Sequence, residues 1–142
     1  MMSEQSISVL LNLKLTDIHR EHENVAFTFA ADDGTGYILM TYTFFRITDG
    51  DRILVTETDV FLKDGFDDDL DGFSWDETGA NAFDHWLSCS LPELVGQSVV
   101  SAELNKYNDL ILRFSEGVAL SVYSESTEDR EYWRIIPANG VK

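Results

Sequence analysis

Basic residues are scarce in this chain. Lys and Arg total 10 against 26 Asp and Glu in 142 residues, a formal net charge of −16. Binding to nucleic acid needs clustered Lys and Arg to neutralise phosphates, so a direct DNA or RNA binder is excluded. Cysteine occurs once, at Cys89, which excludes an internal disulfide framework and a cysteine-based zinc site. Long apolar runs are also missing. Residues 1–6 are polar without a basic run, and the apolar stretch 7–15 is interrupted by Asn12 and Lys14. Neither a secretory segment nor a membrane span is expected, and the cytoplasm is the default location. What is present suffices for one core: 44% hydrophobic residues, including nine Phe, five Tyr and three Trp, predict a single domain over residues 1–142.

The dominant period is two. Ile7, Val9, Leu11, Leu13 and Leu15 alternate, as do Val25, Phe27 and Phe29, and each run predicts a strand with one buried face. Residues 37–47 are aromatic and apolar on both faces, which predicts a central strand covered twice. Residues 53–62 alternate again. Asp33-Gly34, Asp49-Gly50 and Glu116-Gly117 stand between these runs, where Gly supplies the positive φ of a tight hairpin. The C-terminal third reads as strands over 99–104, 110–114, 118–122 and 132–136, an antiparallel meander. In the middle, Ala82, Phe83, Trp86 and Leu87 follow helical spacing. Pro92 can start a second short turn, and Gly96 can end it. The expected fold is therefore α+β: a mainly antiparallel meander of about eight strands with one covering helix near residues 79–90. Residues 24–29 and 109–114 echo one another, each a strand ending on Phe before an acidic-Gly turn, a pattern common to antiparallel hairpins.

The most unusual segment is residues 64–77. Asp64, Asp67, Asp68, Asp69, Asp71, Asp76 and Glu77 crowd there with no Lys or Arg, and such repulsion costs stability unless something cationic binds. Asp67, Asp69 and Asp71 followed by Gly72 match the first half of a calcium loop, which makes them the alternative metal ligands. The second half departs from that pattern: Thr78 occupies the twelfth position, and Glu77 falls one residue early. Phe66, Leu70, Phe73 and Trp75 interleave with the carboxylates. These side chains either anchor the loop to the body or fill pockets on a partner while Asp67, Asp68, Asp69, Asp71, Asp76 and Glu77 meet its Lys and Arg. In the contact reading, Phe73 and Trp75 are the apolar anchors.

No catalytic constellation carries a reaction class. His85 and Cys89 are spaced i, i+4 on the helix, so a Cys–His nucleophile pair comes into view. Asp84 is turned about 100° from His85 and orients it poorly. Beside Trp86 and Leu87, Cys89 reads as a small hydrophobe and His85 as a core residue. His19 and His22, with Glu21 and Glu23, read as a solvated turn. Paired carboxylates abound without an apolar pocket to separate their pKa values. Gly34 and Gly36 open a strand, so no helix N-terminus follows to receive phosphate. The chain is read as a non-enzyme without a cofactor.

The C-terminal segments 94–100 and 109–117, followed by Leu120-Ser121-Val122 and a late Tyr132-Trp133, resemble the small acidic bacterial immunity proteins of polymorphic or contact-dependent toxin systems. The likeness covers about a third of the chain. It implies cognate binding of a basic toxin domain, often a nuclease, by covering its active site. The charge runs the same way, since an anionic surface attracts a cationic partner and imitates nucleic acid. The expectation is a toxin-neutralising binding protein; the alternatives are the calcium loop and a phage-type DNA-mimic inhibitor.

Overall fold

Alternating burial builds β2 (Asn24–Ala30), where Val25, Phe27 and Phe29 are buried and the residues between them half-buried. In a computed structural model, which describes residues 7–138, β2 pairs antiparallel with β1 (Lys14–Glu21) and β3 (Gly36–Thr41). The β2–β3 turn closes on Asp33, whose Oδ1 accepts the Thr35 N–H at 2.9 Å and its hydroxyl at 2.7 Å. Gly36 is obligatory there, because a Cβ would lie 2.1 Å from the Phe29 carbonyl oxygen. The expectation that residues 1–6 hold no leader falls outside the described residues.

The α+β class holds, with nine strands in two antiparallel sheets among the described residues. One sheet runs β1-β2-β3-β9 and the other β5-β4-β8-β7-β6. The remaining strands are β4 (Phe45–Asp49), β5 (Arg52–Thr56), β6 (Val99–Leu104), β7 (Leu110–Phe114), β8 (Val118–Val122) and β9 (Trp133–Pro137). The helix, α1, spans Ala82–Leu94, shifted from 79–90. Asn81 supplies its N-cap, so residues 79–81 lead in. Pro92 falls inside the last turn, where its missing N–H costs one helical bond. Burial of Leu94 keeps that turn closed, and the Val95 N–H still reaches the Leu91 carbonyl at 3.0 Å. No helix among the described residues is long and apolar enough to cross a membrane.

Several runs break where periodicity predicted continuity. Residues 37–47 are two strands, not one: β3 and β4 lie in different sheets and meet at a corner over Tyr42, Thr43 and Phe44. There the Thr43 hydroxyl donates to the Tyr123 carbonyl at 2.9 Å, and the Tyr42 N–H donates to the Tyr132 carbonyl at 2.9 Å. A run apolar on both faces suits one doubly covered strand or two singly covered strands equally well. In residues 7–15, Ser8–Leu10 forms a 3-10 turn that buries Ile7 and Leu10 but exposes Val9 and Leu11. The strand starts only at Lys14. Residues 53–62 leave the strand at Thr56, whose capping box with Asp59 opens the 3-10 turn Glu57–Phe61 over buried Val60. β9 leaves the C-terminal meander and pairs with β3, which buries Tyr132 and Trp133.

The core collects side chains from both sheets and α1. Phe45 meets Phe27 edge-on at 5.7 Å and Phe83 of α1 at 5.9 Å. Phe29 and Phe114, the matching ends of the two echoed strands, stack at 6.2 Å. Backbone bonds join the sheets: the Leu15 N–H donates to the Gln97 carbonyl and the Val99 N–H to the Leu13 carbonyl, both at 2.9 Å. Replacing fully buried Phe83 by Ala is expected to lower stability by about 3–5 kcal/mol in urea unfolding. Val100→Ala, on an exposed position, is expected to leave the midpoint nearly unchanged.

Candidate functional site

Residues 64–80 leave the body and return to the same point. The Ala82 N–H donates to the Leu62 carbonyl at 2.8 Å, the Asp64 N–H donates to the Ala80 carbonyl at 3.1 Å, and Lys63 bridges Asn81. Such a loop with joined ends is an Ω-type excursion, longer than most connections within a domain. Its base is anchored by Asn81, which is fully buried. The Asn81 side chain accepts the Asp84 N–H at 2.7 Å, capping α1, and donates to the Trp75 carbonyl at 2.7 Å. The Trp75 ring lies 4.8 Å from Phe61.

A buried arginine completes the anchor. Arg20, on β1, has a side chain only 5% exposed. Its Nε and Nη2 form a bidentate pair with both Asp84 oxygens, each at 2.8 Å. Its Nη1 reaches Asp76 Oδ1 at 3.1 Å and the His22 carbonyl at 2.7 Å. His22 Nδ1 lies 2.8 Å from the other Asp76 oxygen. The hydrogen bond to Asp84 raises the Arg20 pKa against the effect of burial. Burial would push Asp84 up, but Arg20 and the Gly79 N–H overcome it and hold the carboxyl below its ordinary value. The hydrogen bond to His22, then that to Arg20, lowers Asp76, and Asp76 raises His22 in turn. The solvated turn holds only for His22 and Glu23, the exposed hairpin turn between β1 and β2, because β1 runs on to Glu21. His19 lies in β1 opposite Ala26, and His22 belongs to the clasp.

Beyond the clasp, the tip is open. Asp67, Asp68, Asp69 and Asp71 are all exposed. The Asp69 N–H donates to Asp67 Oδ1 at 2.9 Å and the Asp71 N–H to Asp69 Oδ1 at 3.1 Å, so successive side-chain turns shape the segment. The N–H of Asp69, followed by the charge of Lys63, lowers the Asp67 pKa. Lys63 sits 3.6 Å from Asp67 and donates to the Asp69 carbonyl. Among the described residues, Asp68, Asp69 and Asp71 have no cationic side-chain partner. Phe66 is 66% exposed with φ at +56°, and Leu70 is 59% exposed, an unfavourable setting for a bulky residue. The acidity extends past the loop: burial, with Glu125 and Glu23 adding repulsion, raises the Glu57 pKa.

The expected contact residues thus divide. Asp67, Asp68, Asp69, Asp71 and Glu77 are exposed, whereas Phe73 is half-buried, Trp75 packs against the core, and Asp76 is held by Arg20 and His22. The exposed apolar side chains are instead Phe66 and Leu70, and nothing in local sequence ranks them above Phe73 and Trp75. Asp67, Asp69 and Asp71 are not gathered as ligands. Among the described residues no group of three or more His, Cys, Asp or Glu is placed to hold a metal ion.

His85 and Cys89 also differ from expectation: both are exposed and face away from the core. His85 Nε2 lies 3.8 Å from Cys89 Sγ, and its Nδ1 lies 3.3 Å from Asp64 Oδ2. The carboxylate beside the ring is Asp64, across space; Asp84 is occupied by Arg20. A cavity of about 540 Å³ is walled by Tyr107, Tyr132, Trp133 and other residues of the β6–β7 and β8–β9 connections, with none from the acidic loop.

Arg20→Met strands two carboxylates, one of them nearly buried, and is expected to cost about 3 kcal/mol in urea unfolding. Because the pKa values of Asp76 and Asp84 are depressed, their contribution is present above about pH 4 and is lost as pH falls through the folded values. His22 carries the opposite sign: its contribution is complete below about pH 6.5 and is lost as pH rises through its raised value. In an NMR titration the His22 midpoint is expected above the ordinary imidazole value and closer to it in Asp76→Asn. Comparison of the chain with protein families, curated proteins and solved structures finds no match, so the reading of the loop rests on its own geometry.

Proposed function

We propose that this protein binds and neutralises a basic protein partner through the loop 64–77, and that the partner is a cognate bacterial toxin domain of nuclease type. The observation that carries the reading is the exposed pair Phe66 and Leu70, set among Asp67, Asp68, Asp69 and Asp71 on a loop with a clamped base. Apolar side chains inside a charged rim are the pattern of a contact centre, where desolvated anchors supply affinity and charge supplies orientation. The clamp reduces the ordering that binding must impose on the loop.

The electrostatics support the same reading. Lys14, Arg20, Arg52, Lys63, Arg113, Arg130 and Arg134 are each paired with a carboxylate of their own chain. Among the described residues only Arg46 and Lys106 remain beside the carboxylates outside those pairs, and these carboxylates carry the net charge of −16. A field of this sign speeds encounter with a cationic surface and suits a competitor for a site that receives phosphates. The activity proposed is binding without turnover, in the bacterial cytoplasm.

The test asks first whether the neighbouring reading frame encodes a basic toxin domain, and then measures stopped-flow binding to that domain with growth rescue on co-expression. Changing Asp67, Asp68, Asp69 and Asp71 to Asn is expected to slow association about tenfold at low salt and to flatten the salt dependence. Phe66→Ala and Leu70→Ala are expected to speed dissociation, at about 1–2 kcal/mol each, with association unchanged. Kinetics indifferent to both sets would remove the loop as the contact.

A further inference from the structure

His85 and Cys89 occupy one exposed face of α1, a helical turn apart. The imidazole lies between the thiol and a carboxylate: Nε2 faces Cys89 Sγ at 3.8 Å, and Nδ1 faces Asp64 Oδ2 at 3.3 Å. Each ring nitrogen has a different partner, so the three side chains form a line and do not converge on one cation. That order has a chemical consequence. An imidazolium formed when Nε2 takes up the thiol proton carries its charge 3.3 Å from the Asp64 carboxylate, which favours that transfer. Asp64 is itself positioned by the loop base, through its N–H bond to the Ala80 carbonyl. Both Cys89 and His85 are open to solvent, His85 with 58% of its side chain exposed, so a reagent reaches the sulfur without any rearrangement.

The surroundings select the sign of that reagent. Glu93 stands one helical turn beyond Cys89, Asp64 adjoins the imidazole, and the exposed Asp67, Asp68 and Asp69 follow Asp64 in the loop. Such a field concentrates cations and repels anions.

We propose that Asp64, His85 and Cys89 form a base-assisted thiol that exchanges with small cationic disulfides, making Cys89 a site of reversible mixed-disulfide modification. The thiol proton passes to His85 Nε2, and Asp64 stabilises the resulting imidazolium. The sulfur electron pair forms a new S–S bond to one sulfur of the incoming disulfide. The original S–S bond breaks, its pair departs on the second sulfur, and that thiolate takes the proton from Nε2. Cys89 is oxidised, the departing sulfur is reduced, and one thiol is released for each disulfide consumed. His85 is the base, and Asp64 is a positioning residue that acts through it.

The experiment follows mixed-disulfide formation on the full chain at pH 7 by intact-mass spectrometry, with cystamine, a dication, and dithiodipropionate, a dianion. The folded protein is expected to react with cystamine about tenfold faster than the same chain unfolded in urea. His85→Asn is expected to bring the folded rate down to the unfolded one, and Asp64→Asn to give an intermediate rate. Dithiodipropionate, scaled to its own unfolded rate, is expected to lag behind cystamine, and the gap should narrow at high salt. A folded rate with cystamine at or below the unfolded rate overturns the proposal. That comparison uses the unmutated chain and is independent of whether a variant folds. Equal rates in His85→Asn and the parent, with matching circular dichroism, also overturn it.

Discussion

One buried guanidinium holds β1, α1 and the acidic loop together. Arg20 ties β1 to the first turn of α1 through Asp84 and to the end of the acidic loop through Asp76. Without it, the Asp76 and Asp84 carboxylates would repel one another with little to offset the repulsion. Burial normally makes an ion pair a doubtful source of stability. Here the geometry answers the cost, because Arg20 spends its donors on two carboxylates and two carbonyls, and Asp84 gains the Gly79 N–H besides. His22 extends the same network to the surface through Asp76.

This clasp divides the loop into a held base and a presented tip. Asn81 serves both halves of the arrangement, since one amide caps α1 and fixes the Trp75 backbone. Trp75 and Asp76 therefore belong to the body. What lies beyond them, from Phe66 to Asp71, owes its shape to short side-chain turns and to Lys63. An exposed phenylalanine with positive φ is an unfavourable local choice, and such choices persist where the surrounding structure imposes them. Contact with a partner would give that exposure a use.

Asp64 sits at the junction of the two proposed activities. It opens the loop, and its carboxylate lies 3.3 Å from the His85 ring, which in turn contacts Cys89. A group attached to Cys89 would therefore project from α1 beside the loop base. The two functions share a neighbourhood and a sign of charge, but the thiol chemistry needs no bound protein partner.

Much of the fold was legible in local pattern. The strands β2, β6, β7 and β8, the acidic-Gly turns and the apolar face of α1 all follow from spacing, because burial of one face imposes a period on the residues that form it. The acidity of residues 64–77 and the absence of a disulfide were equally plain. Periodicity reports which face of a segment is apolar and says nothing of which segment covers it. Tertiary structure alone decided that residues 37–47 turn a corner between sheets, that β9 joins β3, and that Phe66 and Leu70, not Phe73 and Trp75, stand exposed. It alone decided that Arg20, sixty-four residues from Asp84, governs the loop. Charge and hydropathy are properties of single residues, whereas a buried ion pair, a clasp or an oriented thiol is a property of positions that the folded backbone brings together.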